Sequence, residues 1–89
     1  MYLIVMPFKH KLSYVAKFVV SPDGKRIGES ISVFEDLLII KKKETFYAIP
    51  FKHVELKNNE IHLKGIVQWD RAKSLARKWK HAQDGYRGQ

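Results

Sequence analysis

Four histidines, His10, His53, His62 and His81, are the side chains best suited to move a proton or hold a metal ion. No two stand three or four residues apart, so no helical turn would present a pair to one ion. Glu35 and Asp36 are adjacent; on a strand they point to opposite faces and cannot act together as acid and base, and a turn or bulge-capping role suits them better. Gly24 and Gly28 are too isolated for a phosphate loop and lack the following Lys-Ser/Thr. The absence of cysteine removes thiol nucleophiles, thiolate ligands and disulfides. No Ser-His-Asp arrangement is legible. The expectation is a protein that is not an enzyme, with no catalytic residue, no metal site and no cofactor.

Cations and aromatics offer a different chemistry. Lys41-Lys42-Lys43 forms one basic run, and Lys73, Arg77 and Lys80 recur along one flank of a helical pattern. These six are the candidate partner-binding residues. Simpler readings stand beside that one: the first run is a solvated hairpin turn, and the second is the wet side of a helix. Lysine-rich edges also discourage strand-to-strand aggregation. Trp69 and Trp79 could stack bases if exposed beside these cations. They share a stripe with Ala72 and Ala76, with Leu75 beside it, and this spacing favours packing against a core.

The elements that must hold these residues are mostly short strands. Ser13 to Val20 alternates, with Tyr14, Ala16, Phe18 and Val20 on one face. Ser21-Pro22-Asp23-Gly24 then reads as a turn. Ile27 to Phe34 follows, with Ile31 and Val33 on one face; Glu29 falls on the apolar parity, which suggests a bulge near Gly28. Leu37–Ile40 has the continuous apolar run of a strand buried on both sides. Lys41–Glu44 makes a charged turn before a strand from Phe46 to Ile49 that ends at Pro50.

Asn58-Asn59 predicts a two-residue hairpin that pairs Val54 with Leu63, Leu56 with Ile61, Glu55 with His62 and Lys57 with Glu60. This register puts Val54, Leu56, Ile61 and Leu63 on one face and sets Glu55 beside His62 on a wet one. After Gly65 the period becomes helical over about 67–82, with Asp70 as N-cap and Asp84-Gly85 as the end. The expected architecture is mainly β: a small antiparallel β-barrel with one C-terminal α-helix. A single domain covers residues 1–83, and 84–89 form a flexible tail.

Composition agrees with one small folded domain. Of 89 residues, 45% are hydrophobic and eleven are aromatic, enough to fill one core. The net charge of +8 is uneven: residues 1–26 carry +4, residues 27–65 carry zero, and residues 66–89 carry +4. Such local charge favours polyanionic partners. The apolar start, Met1–Phe8, is too short for a membrane span and has no basic residue ahead of it, so a buried strand is expected, with no integral membrane insertion and a cytoplasmic location. A lysine- and isoleucine-rich, glutamine-poor chain points to a thermophilic source.

The segment from Val19 to Leu63 resembles the PRC-barrel family. The residues that carry the likeness are Gly24, Ile27 and Gly28, then a strand closing on Glu35 and Asp36, then Ile49-Pro50 with Val54 shortly after, and a final turn and strand. The resemblance covers roughly residues 19–64 and leaves the apolar start and the terminal helix outside its pattern. It implies a small stand-alone β-barrel of archaeal type used as an adaptor, with no catalytic residue to carry over. The leading functional expectation is thus a non-enzymatic module for protein–protein interaction. The alternative is RNA binding through the basic termini and the C-terminal helix. A third reading, docking to an anionic membrane surface, would need the tryptophan stripe unpacked. An uncovered strand edge would leave room for a homodimer.

Overall fold

The run Leu37–Ile40 explains most of the architecture. A strand with four apolar residues in succession has no wet face, so it must lie between two apolar layers. In the computed structural model, which describes the backbone of residues 11–87 and the side chains of residues 11–82, Leu38, Ile39 and Ile40 are fully buried. The expected strand at Met1–Phe8, His10 and residues 88–89 lie outside the described residues.

Six strands are described: β1 (Phe18–Val20), β2 (Arg26–Phe34), β3 (Leu37–Lys42), β4 (Thr45–Pro50), β5 (Val54–Lys57) and β6 (Glu60–Leu63). A 3₁₀ turn at Phe51–His53 separates β4 from β5, and helix α1 spans Trp69–Arg87. The strands form one sheet in the order β4-β3-β2-β1-β6-β5, curled into a half-barrel. The protein is mainly β with one C-terminal helix, as expected. The antiparallel expectation needs one correction, because β1 pairs with β6 in parallel, Val19 opposite Ile61. The second strand of the β5–β6 hairpin lies on the far side of β1 and runs in the same direction.

The inner face holds the larger core: Val19, Leu38, Ile40, Ile49, Val54, Ile61 and Leu63, joined by Ala72 from α1. The outer face of β3 and β4 holds a smaller one, Ile39 and Ala48 against Ala76, with Leu75, Phe46 and Trp79 partly buried around them. Helix α1 packs chiefly against β4. It thereby covers one edge of the sheet.

The hairpin at Asn58-Asn59 has the predicted register, residue for residue, from Val54↔Leu63 to Lys57↔Glu60. Both asparagines adopt positive φ, 53° and 65°. The turn after β1 also forms: Gly24 takes φ 91° and donates its N–H to the Ser21 carbonyl at 2.8 Å. The Ser21 hydroxyl donates to Asp23, which holds that carboxyl below its ordinary value of 3.8.

Bulges account for the irregular pattern of β2. Val19 faces Gly28 and Val20 faces Arg26, so Ile27 is the extra residue, next to Gly28 where a bulge was expected. A second bulge lies between Ser30↔Ile40 and Ser32↔Ile39. Ile31 therefore does not share a face with Val33; it joins the outer core while Val33 joins the inner one. Gly28 is required for another reason. A Cβ there would overlap the carbonyl oxygen of Lys41 and come within 3.2 Å of the Lys42 Cα, so β2 and β3 could not approach.

The strand expected from Ser13 shrinks to Phe18–Val20. Ser30, the buried polar residue of β2, takes over the backbone ahead of it. Its hydroxyl accepts from the Lys17 N–H at 3.0 Å and donates to the Tyr14 carbonyl at 2.6 Å, while the Ala16 N–H donates to the Ser30 carbonyl at 2.9 Å. Ala16 turns through φ 64° to allow this. The alternation fails with it: Val19, not Phe18, is inside, and Phe18 is 45% exposed beneath the Arg26 guanidinium.

Glu35 and Asp36 form the β2–β3 turn, with Glu35 at φ 56°, consistent with a turn role. Lys11 donates to the Asp36 carboxylate at 3.3 Å and the Glu35 carbonyl at 3.2 Å, and the Phe51 N–H donates to the Asp36 carbonyl. The helix begins at Trp69, so Asp70 sits in its first turn, favourable to the helix dipole, and is not the N-cap. The first helical bond runs from the Ala72 N–H to the Gln68 carbonyl. The helix also continues past Asp84-Gly85, since one glycine costs only about 1 kcal/mol against alanine.

Candidate cation-and-aromatic surface

Helix α1 passes across the edge strand β4 and touches both faces of the sheet. Trp69 meets Tyr47 edge-to-face at 4.9 Å on the inner side. Trp79 meets Phe46 at 5.4 Å on the outer side. Phe46 and Tyr47 are neighbours on β4, and strand alternation sends them to opposite faces. Both tryptophans are partly buried in these cores, as their helical stripe predicts, with Ala72 and Ala76 fully packed between them.

The two basic runs meet at one of these rings, Phe46, while Lys42 lies over the pair on the other face. Lys41 and Lys42 are not in a turn but on β3, and only Lys43 and Glu44 form the loop to β4. Lys41 lies opposite Phe46 in the ladder, with its ammonium 6.0 Å from that ring. Lys80 approaches the same ring to 5.4 Å from the helix. Lys42 sits over Trp69 at 4.7 Å and Tyr47 at 5.8 Å. Lys73 and Arg77 are exposed, and helical spacing places them on the flank of α1 that carries Lys80. Lys43, with φ 57°, is exposed at the loop tip.

None of the six cations is ion-paired among the described residues, in contrast to Lys11 with Asp36 and Arg26 with Glu60 at 3.0 Å. The ring faces hold the ammonium groups themselves, and no carboxylate among the described residues competes for them. The sequence did not single out Phe46 and Tyr47. The ladder sets Phe46 opposite Lys41 and Tyr47 opposite Ile40, so their place beside the cations follows only once Lys41 and Lys42 belong to the strand.

The histidines do not join this surface. His62 is partly buried, its Nε2 3.7 Å from the Glu60 carboxylate; the ladder pairs it with Glu55 as predicted, but the side-chain contact is with Glu60. His53 is exposed on the 3₁₀ turn, and His81 is exposed on α1. Among the described residues no three His, Asp or Glu side chains gather into a group that could hold a metal ion. No helix among them is long and apolar enough to cross a membrane.

A family model described as a family of unknown function, DUF5749, matches residues 15–84. No curated protein matches the chain significantly.

Proposed function

We propose a role for this chain, which belongs to that family of unknown function, as a non-enzymatic binding module whose basic flank holds single-stranded nucleic acid, most readily RNA. One observation carries the reading: Lys41, Lys42 and Lys80 are poised over aromatic rings with no carboxylate partner among the described residues, and Lys43, Lys73 and Arg77 are exposed on the same loop and helix. Phosphates would draw the ammonium groups outward, and the freed faces of Phe46 and Trp69 would be offered to bases, the combination of cations and π surfaces that single strands use. A cytoplasmic location and kinship with PRC-barrel proteins belong to the same proposal. The half-barrel and the glycine-dependent approach of β2 to β3 at Gly28 support the kinship.

The test is a salt titration of the full-length protein with a labelled, unstructured RNA. Six phosphate contacts to a single strand predict a slope of about −4 in log affinity against log salt. Reversing charge at Lys73, Arg77 and Lys80 together should weaken binding at least about tenfold and quench less tryptophan fluorescence. The same number of reversals at Lys25, Lys57 and Lys64, which lie off this flank, should do much less. Equal losses from both sets, or no binding even at low salt, would overturn the proposal.

A further inference from the structure

The opposite flank of α1 is built differently. Between the end of β4, the 3₁₀ turn, the connection after β6 and the first turns of the helix lies a groove of about 460 Å³. Ile49, Pro50, Val67, Ala72 and Leu75 supply its apolar lining, and Ile66 stands at 96% exposure on its lip. An isoleucine left in water forgoes about 1.5–3 kcal/mol of burial. Leu12 and Phe18, the other large apolar side chains exposed among the described residues, are each covered by half or more. The polar members of the lining are Gln68, Lys52, Arg71 and His53, and among the described residues no carboxylate lines it.

We propose that this groove docks an acidic peptide segment of a protein partner, with an apolar side chain of the peptide under Ile66 and its carboxylates against Arg71 and Lys52. Charge complementarity selects the occupant. A neutral apolar ligand would make no use of the two exposed cations at the rim, and a polyphosphate would gain nothing from the apolar floor. The volume suits one or two anchoring side chains, and a segment held by a few such anchors fits the general pattern in which buried apolar contacts give affinity and rim charges give orientation. The groove is separate from the lysine-capped rings, so this site does not depend on the nucleic-acid reading. If both hold, the protein joins an RNA to an acidic protein.

Nuclear magnetic resonance titration of the full-length, ¹⁵N-labelled protein with a short synthetic peptide of alternating glutamate and leucine tests the site. Shift changes should concentrate at residues 48–53 and 66–75. Arg71→Glu should weaken binding about tenfold, and so should Ile66→Ser, which removes an exposed side chain and leaves the melting temperature unchanged. The charge reversals at Lys73, Arg77 and Lys80 should leave peptide affinity within about twofold, which separates this site from the basic flank. The proposal is overturned by any of four results: an all-glutamate peptide binding as well as the mixed one, a glutamine-for-glutamate peptide doing so, shift changes centred on Lys41–Lys43, or groove signals that depend on protein concentration alone. The last would assign the groove to a second copy of the chain.

Discussion

On β3 and β4 the inner and outer faces start from the same kind of residue and end in different environments. Inward, Leu38, Ile40 and Ile49 meet aliphatic side chains from β1, β5 and β6, and every one of them is buried. Outward, Ile39 and Ala48 meet a single helix, and the layer is finished by partly buried Phe46, Leu75 and Trp79 with lysines over the rings. A curled sheet can enclose its concave side by itself. Its convex side depends on whatever crosses it, and a lone helix leaves margins where aromatic faces and cations remain in reach of solvent. The inner face makes the fold, and the margins of the outer face are where a partner could be met.

Substitutions at four positions would break or sharpen this contrast. The largest effect is expected from Gly28→Ala. Its Cβ meets backbone atoms of Lys41 and Lys42, which cannot rotate away, so the curl of β2 over β3 must open. A loss of about 3–5 kcal/mol, read as a lower urea midpoint, is expected for such a clash; an unchanged midpoint would show that the curl does not depend on this approach.

Next, Ile40→Ala should cost about 3–4 kcal/mol, since the inner core is closed on all sides and cannot collapse into the space. Trp79→Ala on the outer face should cost less, about 2–3 kcal/mol, because the ring is only partly buried. Trp79→Phe should recover most of that, as the indole Nε1 is buried without a partner and its removal ends an unsatisfied donor. If Trp79→Ala proved the more damaging, the outer layer would have to be counted as the principal core.

The smallest effect is expected from Lys42→Met. Loss of one partly exposed cation over Trp69 and Tyr47 should change stability by no more than about 1 kcal/mol, measured by thermal melting. It should still lower RNA affinity, because the charge is gone while the stem remains. A large stability loss would make Lys42 a structural cap for the rings.

What could be read from the residues alone was whatever depends on near neighbours. The Asn58-Asn59 hairpin combines turn chemistry, alternation and opposite charges within ten positions, and its register followed. The doubly buried Leu37–Ile40 strand and the tryptophan stripe of α1 are equally local. The failures involve distant partners. Ser13–Ala16 looks like a strand until Ser30, well over ten positions later, takes its hydrogen bonds. Ile31 and Val33 part company because of a bulge against β3. Lys41 and Lys42 looked like loop residues because nothing nearby announces that Phe46 and the helix will flank them. The groove is assembled from two stretches, residues 48–53 and 66–75, whose meeting no local pattern announces.

The parallel pairing of β1 with β6 also sets a timetable for the nascent chain. Ile61 is made 42 residues after its partner Val19. A ribosome adding about 5–20 residues each second therefore holds β1 for several seconds before its second neighbour exists. During that interval β1 can pair only with β2, and Val19 and Val20 keep one side uncovered. Because strands that close long loops are the slow step in forming such sheets, the β5–β6 hairpin should act as the latch of the molecule. Its own pairings are local and need no other strand to be in place, and its docking onto β1 ends the interval in which the unfinished sheet could add a strand from another chain.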